Sequence, residues 1–308
     1  MSNIELKRMQ PGDWAEVADL IYVSTNYWYE AHGHNAIFSG GPEATRLFCK
    51  VYEDLDPGHC VIARNPETGR IMGSCFMHPR ETHVSLGIMN VHPVYFGRGI
   101  ARKLLNYIIE FAEQEKKPVR LVSSAMNLDS FSLYTRAGFV PRATYQDLLV
   151  PVPKDGLPAF AGGGKVRAAK PEDVEAIAAV ELTVSGISRK KDYRYFIENR
   201  DGHWSGSVLE GAGGALDGFL FSLGHKLINM VGPGVAKTEA GAAALLHAQL
   251  NQHKGRTPLV LAPVECGELV QTLYGWGAKN CETHLAQVRG ACAGFKGVTM
   301  PCFLPETA

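Results

Sequence analysis

The chain has 308 residues, 45% hydrophobic and 20% charged, with 31 basic and 31 acidic side chains and a formal net charge of zero. That length suits two α/β domains of about 150 residues each. The missing basic excess argues against a nucleic-acid partner, and no apolar run approaches the roughly 18 residues of a membrane-spanning helix.

The spacing of apolar residues and turn formers predicts helices over 11–24, 42–53, 99–115 and 128–137, and strands over 59–64, 71–78, 83–91, 119–123 and 144–150. The turn-rich NPETGR joins the first two strands as a hairpin. The stretch VPVPKDGLPAFAGGGK then reads as a linker over 151–164, between a first domain at 1–150 and a second at 165–308. Each domain opens alike. LKRMQPGDWAEVADL and KVRAAKPEDVEAIAAV both give a short strand, a Pro-x-Asp start and a helical period. Val91-His92-Pro93 is echoed by Val231-Gly232-Pro233, and Leu133-Tyr134 by Leu273-Tyr274, both 140 residues on. A constant offset points to a duplicated domain. The cysteines (Cys49, Cys60, Cys75, Cys266, Cys281, Cys292 and Cys302) are odd in number and lack a Cys-x-x-Cys pair. With no basic-then-apolar leader pattern at the N-terminus, they read as thiols of a cytoplasmic protein.

The stretch NVHPVYFGRGIARKLL poses a chemical question, because its helix opens at Ile100 without a Ser, Thr, Asp or Asn cap. Bare N–H groups at a helix start carry about half a positive charge and bind anions such as phosphate. Gly97 and Gly99 allow tight backbone geometry and close approach of a ligand. The loop lacks the Lys-Ser/Thr of a nucleotide P-loop and does not fit G-x-G-x-x-G, and a purely structural turn is the alternative to a phosphate cradle.

A second motif follows in VRLVSSAMNLDSFSLYTRAGF. Together the two resemble the signatures of the GNAT superfamily of N-acetyltransferases, over about residues 1–150. The resemblance implies an α/β (α+β) mixed-sheet fold in two tandem GNAT-like domains, with acetyl-CoA as co-substrate and no metal. It also implies roles for individual residues. Met89, Asn90 and Val91 would line the pantetheine arm. Phe96, Gly97, Arg98, Gly99, Ile100 and Ala101 would cradle the pyrophosphate, with Phe96 in place of the usual Gln or Arg. Asn127 and Ser130 would contact the arm, and Tyr134 would protonate the departing thiolate. A phenol of ordinary pKa near 10 suits that task.

The general base is open. Ser85 stands where many relatives carry a glutamate; His83, on the same strand face, is one candidate, and water-mediated deprotonation is the other. Tyr27, Trp28 and Tyr29, placed between the first two helices, offer faces for an amine acceptor, with Ser85 beside them, or else pad the sheet. His32 and His34 do not make a metal site by themselves. The second copy, aligned at the 140-residue spacing, sets Glu239 against Gly99 and is degenerate. The reading is an N-acetyltransferase moving an acetyl group to a primary amine of a small molecule by direct attack, acting as a monomer or homodimer with no membrane contact. Its rivals are an acyltransferase for a larger acyl-CoA and a non-catalytic coenzyme A sensor or scaffold.

Overall fold

The computed structural model describes residues 4–307. Its first half runs β1 (Glu5–Arg8), α1 (Trp14–Ala31), α2 (Arg46–Leu55), β2 (Cys60–Arg64), β3 (Ile71–Pro79), β4 (Val84–Val91), α3 (Ile100–Gln114), β5 (Val119–Ser124), α4 (Leu128–Arg136) and β6 (Val140–Leu149). The second half repeats the same order: β7 (Val166–Ala168), α5 (Val174–Ser185), α6 (Lys190–Glu198), β8 (Trp204–Glu210), β9 (Leu216–Gly224), β10 (Asn229–Ala236), α7 (Glu239–Leu250), β11 (Leu259–Pro263), α8 (Gly267–Gly275) and β12 (Lys279–Arg289). Short strands β13 (Val298–Met300), β14 (Cys302–Phe303) and β15 (Glu306–Thr307) end the chain's described part.

The repeated openings have one physical cause. In each, a 3-10 turn at Pro-x-Asp lets the aspartate reach back. Asp13 accepts the Gln10 N–H at 2.8 Å, and Asp173 accepts the Lys170 N–H at 2.8 Å. Each aspartate also holds an arginine, Arg64 in one case and Arg167 in the other.

The chain forms two compact units. One comprises residues up to 79 with 83–119 and 303–306; the other comprises 80–82, 120–302 and 307. In the first unit, β1, β2, β3 and β4 pair in that order, all antiparallel. Helices α1 and α3 pack on β3 and β4, burying Val17, Ile21, Leu104, Leu105 and Ile108. The β3–β4 register passes from Cys75↔Met89 to Met77↔Leu86, so β4 carries an extra residue at Gly87-Ile88. Such a bulge bends the strand and frees backbone groups from the ladder.

In the second unit the strand order is β5-β12-β6-β11-β10-β9-β8-β7. The two repeats have exchanged their last strands: β6 of the first lies between β12 and β11 of the second, antiparallel to both. Sequence repeats and compact units are therefore different divisions of the chain. Strands β10 and β11 are parallel only at Met230↔Leu259 and Val231↔Val260. Beyond that point β10 turns to β13, with Gly234 opposite Met300. The segment 151–164 has no helix or strand, yet Val152 and Leu157 are buried in the core with Leu246 and Leu250. The Val152 N–H donates to Arg256 O at 2.9 Å, which pins the linker to this unit.

Candidate active site

The glycine loop belongs to the first unit. Gly97 and Gly99 hold φ of +74° and +80°, the left-handed region that only glycine enters cheaply. Gly99 is the N-cap of α3 and no side chain caps the helix. A Cβ built on either glycine meets nothing within 4 Å, so protein packing does not demand glycine there. The backbone conformation does, and no side chain caps the N–H groups of the first turn of α3. Those donors fit a pyrophosphate. Around them Phe96, Gly97, Arg98 and Gly99 are exposed, Ile100 is buried under the helix, and Ala101 is half-buried. Arg98 stacks over the Tyr95 ring, its guanidinium 5.4 Å from the centroid.

Met89, Asn90 and Val91 form the half-buried end of β4, just before the loop. The Asn90 amide donates to Ser24 Oγ at 2.8 Å and Thr25 Oγ1 at 3.2 Å, so its side chain is tied to α1. His83, one residue ahead of β4, and Ser85 within it are both buried. Ser85 lies opposite His78, which pairs with the buried Asp56 at 2.6 Å.

The aromatic run falls elsewhere than expected. It lies inside α1, which continues to Ala31 because no helix breaker precedes Gly33. Tyr27 is exposed and meets Phe96 edge-on, with ring centroids 6.2 Å apart. Trp28 instead stacks on His32 and touches Tyr29, while Tyr29 meets His34. The structure thus joins Tyr27 to the glycine loop and gathers Trp28 and Tyr29 at the end of α1. Asn26, absent from the sequence reading, braces the following loop. It accepts the N–H groups of Ile37 and Phe38 and donates to Phe38 O at 2.9 Å. A lone Asn in a helical run carries no local signal for that role.

Asn127, Ser130 and Tyr134 belong to the second unit. Asn127 is the N-cap of α4, its Oδ1 accepting the Ser130 N–H at 3.0 Å. Its amide nitrogen remains available to a ligand acceptor. Tyr134 is 7% exposed on the same helix, with its ring 5.8 Å from Phe139. Among the described residues one trio, Asp147, Glu282 and His284, has metal-ligand types within mutual reach. His284 Nδ1 lies 3.0 Å from the Asp147 carboxylate, the geometry of an Asp–His hydrogen bond.

The second copy differs from the first at each equivalent point, and the structure corrects the 140-residue alignment. The caps of α4 and α8 are 139 residues apart (127 against 266, 137 against 276), with near-identical backbone angles. Phe139 and Ala278 donate their N–H groups to Tyr134 O and Leu273 O. Leu273, not Tyr274, therefore stands in the place of Tyr134, and Cys266 in that of Asn127. The N-cap equivalent to Gly99 is likewise Thr238, whose hydroxyl accepts the Gly241 N–H at 3.1 Å. Only Lys237 and Thr238 separate β10 from α7, where the first copy has residues 92–99. Val231-Gly232-Pro233 lies inside β10, so its echo of Val91-His92-Pro93 is one of letters only. Strand β13, alongside β10, closes the gap that opens beyond Val231. The second copy has neither the loop nor its free donors.

Residues 23–139 match the acetyltransferase (GNAT) family, so the first copy carries a GNAT domain. The chain as a whole has the GNAT fold in tandem. It resembles a candidate acetyltransferase from Pyrococcus horikoshii at 14% identity and a TM-score of 0.75, over 99% of this chain and 96% of that one. A GCN5-related N-acetyltransferase from Sphaerobacter thermophilus aligns at 17% identity and a TM-score of 0.63, over 95% and 97% of the two chains. A tandem GNAT protein from the clavulanic acid biosynthesis pathway aligns at 16% identity and a TM-score of 0.60, over 95% and 99%. At such identities the likeness is one of fold. A stretch of 87 residues is 30% identical to the UPF0157 protein YqkA of Bacillus subtilis, covering 28% of this chain and only 25% of that relative's length. Among the described residues no helix is long and apolar enough to cross a membrane.

Proposed function

We propose that the protein is an acetyl-CoA-dependent N-acetyltransferase, with its cofactor site in the first copy and a small-molecule primary amine as acceptor. The observation that carries this reading is the uncapped start of α3: two left-handed glycines, no side chain within 4 Å of either missing Cβ, and a free first turn of N–H donors. Those N–H groups hold the pyrophosphate, and Arg98 adds charge nearby. The end of β4 at Met89 and Val91 meets the pantetheine arm through backbone groups, and the Asn127 amide donates to it. The acceptor's neutral amine attacks the thioester carbonyl directly. The C–N bond forms as the C–S bond breaks, and Tyr134 donates its phenolic proton to the leaving sulfur. His83 is too enclosed to meet a bulky acceptor unaided, which favours removal of the amine proton through water.

Calorimetric titration of acetyl-CoA tests the reading. One site per chain, lost in Gly99→Glu, is the expected result, followed by thiol release when the right amine is added. Two sites would overturn the assignment of the second copy. Absence of binding would overturn the enzyme and the coenzyme A sensor together.

A further inference from the structure

Helix α5, strand β10 and strand β13 enclose a cleft in the second unit with about 280 Å³ of empty space, its mouth included. Apolar walls come from Ile187, Val235, Phe295 and Met300. Among its lining residues is Arg189, only 3% exposed. Its Nε bonds Glu181 at 3.0 Å, while its Nη1 is buried with no partner. Tyr145 and Thr299, whose hydroxyls are bonded to each other at 2.7 Å, also line this space.

A second guanidinium stands beside it. Arg120, 2% exposed, donates to Ser185 O at 3.3 Å and lies 5.6 Å from the centre of the Phe295 ring; Ser185 and Phe295 both line the cleft. Arg120 has no carboxylate within ion-pair distance among the described residues, and its Nη1 too is buried without a partner. The local charges do not cancel. Arg189 pairs with Glu181, a carboxylate that also lines the cleft and feels the charge of Arg120, and Arg80 pairs with Asp192 at 2.8 Å, so three cations stand against two carboxylates. A buried cation in excess of its counter-charges is costly to hold. Water would satisfy the spare N–H groups but not the charge. A carboxylate answers both, and the apolar walls suit a short alkyl chain behind it.

We infer that the degenerate second copy is a binding site for a small aliphatic carboxylate, held between Arg189 and Arg120. The site does not depend on coenzyme A. Its test uses the full chain titrated with sodium butyrate at constant ionic strength, beside the neutral isostere butyramide. Butyrate is expected to bind at one site, and butyramide at least about tenfold more weakly, because a charge-assisted contact is lost. Arg120→Met is expected to weaken butyrate by at least about tenfold and to raise the thermal midpoint of the ligand-free protein, since it removes an uncompensated buried charge. A merely structural Arg120 would lower that midpoint. Gly99→Glu should leave butyrate binding unchanged; loss there would put the acid in the acyl site of the first copy and overturn the inference. Absence of butyrate binding, equal binding of butyramide, or undiminished affinity in Arg120→Met would each overturn it. Should Arg120→Met fail to fold, the butyrate–butyramide comparison decides alone.

Discussion

Gly99→Ala separates what the loop needs as backbone from what it needs as a binding surface. Gly99 sits at φ +80°, and a Cβ there strikes nothing in the protein within 4 Å. The stability loss is therefore conformational only, about 1–2 kcal/mol for an L-residue in the left-handed region. The new methyl group does, however, enter the space through which a pyrophosphate reaches the first N–H groups of α3. Losing one or two charge-assisted backbone bonds at about 1.5–3 kcal/mol each weakens coenzyme A by about 10- to 10⁴-fold. Urea unfolding measures the first effect and calorimetry with coenzyme A the second. The reasoning fails if affinity falls only by the factor of a few that a slightly altered loop would produce. It fails equally if stability is unchanged, since the left-handed conformation would then be wrong. Thr238→Ala at the equivalent cap of α7 supplies the contrast. It removes a bonded cap, with a loss of about 1 kcal/mol in stability and no change in coenzyme A binding.

Tyr134→Phe keeps the ring packed on Phe139 and should lower kcat by about 10²- to 10⁴-fold while calorimetry finds acetyl-CoA binding unchanged; a kcat within threefold of the wild type would remove Tyr134 from the mechanism. Asn127→Ala strips the cap of α4 and should destabilise the protein by about 1 kcal/mol in denaturant unfolding, with weaker cofactor binding as a separate loss. His253 is buried with both ring nitrogens unpartnered, and burial pushes its pKa down to about 4. From about pH 6.5, the ordinary value, down to about 4, the unfolded chain takes up a proton that the folded one does not. Stability therefore drops across that window by roughly 3 kcal/mol and is indifferent to this group above it. His253→Leu should flatten the decline between pH 6.5 and 4.5 in urea titrations, and an equally steep decline in the variant would refute the assignment.

Much of the candidate site was legible in the letters because its causes are local. A positive φ calls for glycine, an uncapped helix start shows in a missing Ser, Thr, Asp or Asn, and the Asn127-to-Phe139 spacing writes out one capped helix of about two and a half turns. The same holds for the Pro-x-Asp openings, where the aspartate reaches only three residues back. The errors in the reading came where the copies had to be compared. The loop of the second copy is shorter, so the offset changes along the chain, and two chance echoes at 140 residues hid the true one at 139. Tyr274 looked like a partner of Tyr134 for that reason; its hydroxyl is in fact bonded to Gln146 at 2.6 Å.

The rest belongs to pairings between distant segments. Alternation and β-propensity mark β6 and β12 as strands, but nothing within either says that they will exchange places between the repeats. The closure of the β10–β11 gap by β13 depends on a segment some sixty residues downstream of β10. Arg120 and Arg189 read as ordinary charges until folding buries both beside one cleft. Local backbone preference is set by a residue and its near neighbours, whereas burial, strand order and unbalanced charge are properties of the assembled core. The glycine loop was therefore plain from the chain alone, and the different fate of the second copy was decided only by its folding.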